Sequence, residues 1–309
     1  MATLGSTNTQ LTDLAQTQGA DQVALVNALT AQRHGTSFRV LPFKEVKGWT
    51  EKFRRMESRP TVSWRNIGGT VTSAKAQTQP YSESLFLASA LSEVDKITAD
   101  NDARGPKVYR GEQDDAYLES MGYQLSYGLY YGSNDTDQTV DGLLHRLPVG
   151  GDAVVNAGAT SETTSIYALR LGPGQFMGLW NAVSAGKVIQ ATDYGPKVDS
   201  GNEIYETFFN MAVGFAQYHP LSIGRIAKCN ATTGLVTNQD FFNLFSQMEG
   251  RPDLLVTSWL GLGYIAELKK TALQMNPNDK NYDAIADHMM GVPIIVDTVL
   301  SDAENGITV

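Results

Sequence analysis

A glycine-rich segment late in the chain is the first pattern that could do chemistry. Residues Gly261 to Ala266 match G-x-G-x-x-A and lie between a predicted strand and a predicted helix. In dinucleotide-binding proteins such glycines let the backbone approach a pyrophosphate at a helix start. Here the strand and the first glycine are too far apart for that tight turn, and no ribose-binding acid follows. We interpret the segment as a glycine-tolerant helix start and keep an α/β nucleotide-binding enzyme as an alternative.

Histidine and cysteine are scarce. Cys229 is the only cysteine, so no intrachain disulfide or cysteine-rich metal cluster can form. No histidine has a second His or Cys at metal-ligand spacing, so we expect no metal site. The adjacent Asp287 and His288 could act as an acid–base pair, but the polar face of a C-terminal helix explains them better. The histidines are His34, His145, His219 and His288.

Two acidic pairs could serve as catalytic carboxylates. Asp114 and Asp115 fall where a helix is predicted to begin, and acidic residues there suit the helix dipole. Glu93 and Asp95 are explained by charge on a strand edge. The sequence contains neither the G-x-S-x-G elbow nor a phosphate-binding G-x-x-x-x-G-K-S/T loop. We therefore predict no catalytic residue, no cofactor and no enzymatic activity.

Positive charge is concentrated in one stretch of an acidic chain. The formal net charge is -9, so the protein should repel nucleic acid on average. The basic stretch could be a nucleic-acid patch with Trp64 as a stacking residue, but a loop that docks on an acidic neighbouring copy fits the overall charge better. We predict Arg54, Arg55 and Arg59 as leading subunit-interface residues, with Trp64 and Arg65, and expect charge reversal at the three arginines to block assembly. The basic residues are Lys44, Lys47, Lys52, Arg54, Arg55, Arg59 and Arg65.

Composition limits the class of protein. The chain has 309 residues, 42% hydrophobic and 18% charged, which is typical of a folded protein with a substantial core. No apolar run reaches the roughly 20 residues that span a bilayer. The first ten residues have no features of a secretory signal. We expect a protein made in a cytoplasm, with no membrane partner.

The elements that position the basic stretch follow from residue patterns. Residues 61–67 alternate and predict a strand, with a turn at Gly68 and Gly69. Residues 69–79 are polar and lack an apolar face, so a basic two-stranded loop should project from the body. Residues 85–99 predict a long strand that passes into a short helix.

The clearest helix is predicted from about Glu112 to Tyr131. Gly132 is its expected end. The internal Gly122 and Gly128 each cost roughly 1 kcal/mol relative to alanine, which close packing against another backbone would explain. Its apolar stripe consists of Leu118, Met121, Leu125 and Leu129.

An α/β pattern follows from residue 150. Residues 222–229 fit either a strand or a helix. We predict that Phe241, Phe242, Leu244 and Phe245 face inward from a helix over 238–248. The other predicted elements are strands at 165–171, 176–180, 208–218, 253–257 and 290–297, and a helix from about 258 to 275.

Read in order, several short segments over about 240 residues resemble tailed-bacteriophage major capsid proteins with the Hong Kong 97-type fold, which is α+β. Each segment is weak alone, and their order carries the likeness. One departure is residues 180–187, where the group often has a proline- and lysine-rich loop. The segments are 59–65, 92–96, 99–100, 111–121, 129–134, 141–143, 164–167, 251–258 and 291–294.

The resemblance implies four structural parts. It places an N-terminal arm at 1–37, an extended E-loop at 45–80, and an axial A-domain at 151–290. The peripheral P-domain would comprise 81–150, including a long spine helix, and 291–309. Because the chain starts directly at the arm, the resemblance implies a separate scaffolding protein.

The resemblance also implies a function. The protein would be a coat protein that self-assembles into hexamers and pentamers, forms an icosahedral head in the host cytoplasm, and encloses DNA without sequence-specific binding. Portal and decoration proteins are further expected partners in the virion. An encapsulin-like nanocompartment shell with the same fold is the other structural alternative. Some members of the wider fold make a covalent Lys–Asn crosslink between subunits, and that chemistry cannot be matched to residues of this sequence.

Overall fold

The structure is a computed structural model that describes residues 25, 37–58, 60–134, 139–161, 163–181, 188–273 and 288–304. Several predicted features therefore lie outside the described residues. They are most of the predicted arm, His34, Arg59, Asp287 and residues 182–187 of the loop that departs from the family pattern. The helices are α1 (Lys96–Asp100), α2 (Pro106–Tyr131), α3 (Leu143–Arg146), α4 (Asn238–Gln247) and α5 (Trp259–Leu273), with a 3-10 turn at Ser37–Arg39.

The strands form two sheets and one separate hairpin. They are β1 (Phe43–Glu45), β2 (Thr50–Ser58), β3 (Gln77–Ser84), β4 (Phe86–Asp95), β5 (Val154–Asn156), β6 (Thr164–Leu169), β7 (Phe176–Asn181), β8 (Gln190–Asp199), β9 (Asn202–Gln217), β10 (Ile223–Cys229), β11 (Leu254–Thr257), β12 (His288–Met289) and β13 (Val292–Val296). The architecture is mixed α+β, as predicted.

The first sheet is organised around β9, which is 16 residues long. Its order is β1-β7-β9-β4, and β8 also pairs with β9. Strand β4 runs antiparallel to β9 over its whole length, from Phe86 opposite Val213 to Asp95 opposite Ile204. The predicted long strand followed by a short helix at 85–99 is confirmed, because α1 begins directly after β4.

The second sheet has the order β12-β13-β11-β6-β10-β5. Every residue of β6 and β11 is buried, which matches the short apolar runs Ile166–Leu169 and Leu254–Val256 within them. The ambiguous segment 222–229 is a strand, β10. Phe241 and Leu244 face inward from α4 as predicted, but Phe242 is exposed, because it lies on the opposite side of that helix.

Helix α2 packs the C-terminal half of its length into the main core. All four predicted stripe residues are buried, and so are the two tyrosines that end the helix. The predicted start at Glu112 is wrong, because the helix begins at Pro106, preceded by Gly105 at φ 90°. Proline suits the first helical position, since its missing N–H would have no partner there. Asp114 and Asp115 are therefore inside the helix and not in its first turn.

Gly132 ends α2 through close backbone contact. Its φ of −59° is ordinary, so no left-handed conformation is needed. A Cβ there would lie 2.2 Å from the carbonyl oxygen of Val140. The returning chain donates a hydrogen bond from Gly142 N to Gly132 O at 2.8 Å. Inside the helix, Gly128 faces the side chain of Val140, so its packing partner is a side chain and not a backbone.

The first sheet bears on the predicted division into domains. Strands β7, β8 and β9 fall within the predicted A-domain of 151–290, yet they share a sheet with β4 of the predicted P-domain. The boundaries remain a prediction, and this sheet joins the two parts through main-chain hydrogen bonds.

Candidate subunit interface

A long hairpin projects from the body. It comprises β2, β3 and the intervening residues, and its strands pair antiparallel from Thr50 opposite Ser84. Of the described residues 60–80, all but Ala76 are exposed. A two-stranded ribbon without a buried face gains little stability alone, so this hairpin is suited to contact another surface.

The predicted strand at residues 61–67 is wrong. The paired strands are β2 and β3, and residues 60–76 between them have no strand partner. A turn closes the tip, with Gly69 N donating to Asn66 O at 3.0 Å and Gly68 at φ 87°. The alternating residues at 61–67 therefore do not form a strand. They place apolar side chains on an exposed tip.

Apolar side chains at the tip are exposed to solvent. Trp64 and Ile67 are fully exposed, and Val62 is nearly so. Scattered exposed apolar residues are ordinary, but three within six residues at the end of a protrusion indicate a binding surface. Large aromatic residues supply much of the binding energy at protein interfaces. We call Val62, Trp64 and Ile67 the apolar tip.

The predicted interface residues occupy different environments. Arg54 is exposed on β2 and Trp64 belongs to the apolar tip. Arg65 is exposed, and its Nη1 donates to Gly69 O at 2.7 Å across the tip turn. Arg55 is part-buried and bonds within its own chain, while Arg59 lies outside the described residues.

Arg55 fastens the base of the hairpin to the body. Its Nε donates to Gln217 O at 2.8 Å, and its guanidinium lies 4.2 Å from the ring centre of Tyr81. Burial lowers the pKa of Arg55, and the nearby Glu83 carboxylate opposes this effect. Glu83 in turn forms an ion pair with Arg146. Sequence reasoning missed both partners, because their types are common and they are far apart in the chain.

A second cluster holds the other side of the base. Lys44 Nζ forms an ion pair with Glu51 at 2.5 Å, and the Tyr218 hydroxyl donates to the same carboxylate at 3.1 Å. The hydrogen bond to Glu51 raises the pKa of Lys44. Phe53 packs on Tyr218 with ring centres 4.6 Å apart. The hairpin is thus anchored at its base and exposed at its tip.

An apolar groove of about 280 Å³ lies between α2 and β4. It could receive a large apolar side chain, because most of its lining is apolar and Leu87 beside it is half exposed. The same two elements carry exposed carboxylates at Glu93, Asp115 and Glu119. The groove is lined by residues that include Phe86, Leu87, Ala88, Leu125, Gly128 and Val140.

The members of each acidic pair differ from each other in their surroundings, and Asp95 has a structural role. Asp95 caps α1, with its carboxylate accepting from Thr98 N at 2.8 Å, and this backbone hydrogen bond lowers the pKa of Asp95. Glu93 is exposed on β4. Burial raises the pKa of Asp114, whereas Asp115 on the same helix is exposed. Neither of these two acidic pairs lines the groove between α2 and β4.

The described histidines lie in separate parts of the fold. His145 is in α3, and His219 follows β9 with its Nε2 2.9 Å from Glu249. His288 is in β12, so the predicted C-terminal helix is wrong at this position. Among the described residues, no group of three His, Cys, Asp or Glu side chains could hold a metal ion. In the same part of the chain, no helix is long and apolar enough to cross a membrane.

The glycine-rich segment lies inside a helix. Helix α5 begins at Trp259, directly after β11, so Gly261 and Gly263 are in its first turns. A Cβ on Gly261 would lie 2.0 Å from Thr257 Oγ1, whereas one on Gly263 would meet nothing within 4 Å. Gly261 therefore permits close packing of the helix on β11, and Gly263 faces solvent.

Alanine substitutions at these two glycines should change the free energy of unfolding in opposite directions. We expect Gly261→Ala to lower the free energy of unfolding by about 1–3 kcal/mol through overpacking against buried Thr257. Gly263→Ala should raise it by up to about 1 kcal/mol, because alanine favours a helix. Urea unfolding of both variants measures this. Equal effects, or a nucleotide-induced rise in thermal stability that Gly263→Ala removes, would contradict a purely structural segment.

A buried charged network joins the C-terminal segment to α2 and to the second sheet. Arg225 Nη2 donates to Glu304 Oε2 at 3.0 Å, and their side chains are 6% and 3% exposed. The Tyr131 hydroxyl donates to Glu304 Oε1 at 3.1 Å, and burial raises the pKa of Tyr131, which keeps it a donor. Ser165 Oγ accepts from Arg225 Nε at 2.9 Å and donates to the same carboxylate. The network links α2, β6, β10 and the chain after β13.

Comparisons with known proteins agree with this architecture. A family model described as major capsid protein GP7 matches residues 41–280. No curated protein matches the chain. A chain in a cryo-EM structure of bacteriophage Epsilon15 is similar with a TM-score of 0.63 and 17% identity, covering 84% of this chain and 85% of that chain.

Two other solved structures have lower scores. The bacteriophage JBD30 capsid gives a TM-score of 0.47 at 13% identity, covering 86% of this chain and 91% of that chain. The holo-SrpI encapsulin complex from Synechococcus elongatus gives 0.46 at 10% identity, covering 64% and 88%. Both scores are too low to carry weight.

The long helix α2, the projecting hairpin and the two sheets make up the Hong Kong 97-type α+β fold of phage capsids, as the likeness to Epsilon15 indicates. The family match extends over most of the chain, so this chain belongs to the major capsid protein GP7 family. It is a capsid coat protein of a tailed bacteriophage, and its place is the virion. The resemblance drawn from the ordered short segments is confirmed.

Proposed function

We propose that this coat protein assembles into hexamers and pentamers in the host cytoplasm, and that these tile an icosahedral shell around the phage DNA. Its work is structural and involves no catalysis. The observation that carries the proposal is the apolar tip, which holds three exposed apolar side chains at the end of a protrusion with an anchored base. A monomer gains nothing from such a feature, whereas an assembly covers it.

The proposed partner of the apolar tip is the α2–β4 groove of an adjacent copy. The tip is convex and apolar, and the groove is concave and apolar, so the contact is heterologous, and such a contact forms a ring when the rotation between successive copies closes. The hairpin carries Arg54 and Arg65, and the groove's elements carry exposed carboxylates. This complementarity of charge would set the register of docking more than its strength.

The rest of the chain would follow the four-part division that the family resemblance implies. The hairpin of residues 50–84 overlaps the expected E-loop of 45–80 and extends four residues beyond it, and α2 lies within the expected P-domain of 81–150 and 291–309. The arm of 1–37 would reach beneath a neighbour, and the axial A-domain would fill 151–290. A separate scaffolding protein, a portal and possible decoration proteins would assemble with the shell.

Reversing the charge of Arg54 should slow assembly. Arg54 is exposed on the hairpin, so Arg54→Glu should leave folding intact and reduce the assembly rate several-fold at low salt. Because salt screens exposed charges, the difference from the parent should shrink as ionic strength rises. Light scattering at several salt concentrations measures both effects.

Arg251→Glu is the matched control, because Arg251 is exposed between α4 and β11, outside both the hairpin and the α2–β4 groove, and its reversal changes the net charge equally. We expect it to assemble close to the parent rate. If both variants slow assembly equally, net charge and not the hairpin is responsible.

A further inference from the structure

Glu83 lies between two arginines at the base of the hairpin. Arg146 Nη1 donates to Glu83 Oε1 at 2.6 Å and Nη2 to Oε2 at 2.8 Å, which is a bidentate ion pair. The side chains are only 10% and 14% exposed. Arg55 approaches the same carboxylate from the other strand, with Nη2 3.8 Å from Oε1.

Both arginines are also bonded to the body. Arg146 Nε donates to Asp141 O at 2.8 Å, and its Nη2 to Phe215 O at 3.2 Å. Arg55 donates to Gln217 O, as described above. Phe215 and Gln217 belong to the end of β9, so β3 is tied to α3 and β9 through Glu83 and Arg146, and β2 is tied to β9 directly through Arg55.

We propose that Glu83, Arg146 and Arg55 form a clamp that sets the angle at which the hairpin leaves the body. These three are positioning residues, because they act on assembly by aiming the apolar tip and not by touching the neighbour. Arg55 therefore serves the interface from inside its own chain. This inference rests on the proposed docking of the tip on a second copy.

A clamp at the base has a large effect at the tip. From Arg55 to Trp64 the chain spans at most about 30 Å, at about 3.3 Å per residue. A swing of about 10° at the base would therefore move the tip by about 5 Å, comparable to the spacing of neighbouring strands. Beyond the clamp the ribbon has only its own strand pairing, so the base determines its direction.

Pulsed EPR on unassembled protein tests the clamp directly. Spin labels at Ser73→Cys in the hairpin and Glu119→Cys on α2 report the angle, because both positions are exposed. The native Cys229 is buried, and burial raises the pKa of its thiol, so it should not be labelled. We expect a narrow distance distribution in the parent and a broadened or shifted one in Arg146→Gln.

The matched control is Arg104→Gln, which removes an ion pair to Glu112 at a site outside the hairpin. Its distribution should equal the parent's. If Arg146→Gln does not fold, Glu83→Gln replaces it, since the amide keeps the shape of the side chain and removes the charge. A parent-like distribution in whichever variant folds would overturn the clamp.

Electron microscopy of the same variants separates the clamp from the docking proposal. With the clamp lost, we expect malformed or open particles where the parent gives regular ones. Regular particles together with a broadened distribution would overturn the positioning role. A parent that forms no particles while the distribution still broadens would overturn the docking proposal and leave the clamp's geometry intact.

Discussion

Replacing Trp64 by alanine should abolish or severely weaken assembly and leave the monomer as stable as the parent. Trp64 is fully exposed, so the substitution removes no intramolecular packing. If it inserts into a neighbour's groove, its loss should cost about 2 kcal/mol or more per contact, as for interface hot spots. That corresponds to about 30-fold in each contact's equilibrium constant. The loss recurs in every subunit, so the effect on a closed shell is multiplied.

Trp259→Ala is the matched control for this variant. Trp259 is also largely exposed but lies at the start of α5, away from the hairpin. Sedimentation velocity measures assembly, and urea unfolding measures monomer stability. Shells from Trp64→Ala at parental yield would contradict the role of the apolar tip. An equal defect in Trp259→Ala would show a general sensitivity to lost surface tryptophans.

Replacing Arg225 by methionine should destabilise the folded protein by about 3–5 kcal/mol, which is the usual cost of leaving a buried charge unpaired. Glu304 would lose its guanidinium partner while still buried. Tyr131 and Ser165 would continue to donate to the carboxylate, but neither supplies a positive charge. Guanidinium unfolding of the unassembled protein measures the change.

The double variant Arg225→Met/Glu304→Leu is the control for the ion pair. Removing both charges should restore most of the lost stability, because apolar replacements of a buried pair are often neutral. If Arg225→Met costs less than about 1 kcal/mol, the network is not the charged link between the C-terminal segment and the core. If the double variant is less stable than Arg225→Met alone, packing and not charge is dominant.

Local pattern predicted the elements that carry a periodic stripe or a short apolar run. The stripe on α2 and the strand-to-helix segment at 85–99 follow from periodicity, and the buried strands β6 and β11 follow from apolar runs. The start of α2 was misplaced because acidic residues outweighed the Gly105–Pro106 signal, which marks a helix beginning more directly. The strand predicted at 61–67 failed because alternation also describes a loop that exposes its apolar side chains.

Long-range pairing lies beyond what a single sequence specifies. Glu83 and Arg146 are 63 residues apart, and Arg225 and Glu304 are 79 apart. Nothing local indicates that these residues meet, since the first pair depends on how α3 lies against the hairpin and the second on the return of the C-terminal segment to β10. The sequence gives no sign that Arg55 differs from the exposed arginines near it. Its burial, which residue type does not indicate, directs its hydrogen bonds to its own chain.

Cryo-electron microscopy of the purified protein, alone and co-expressed with its genomic neighbours, tests the central claim most directly. We predict closed shells or ring-shaped capsomers in which the apolar tip of one copy lies in the α2–β4 groove of the next. A particle that stays monomeric or dimeric under every condition, or a shell in which Trp64 faces solvent and the groove is empty, would contradict this account.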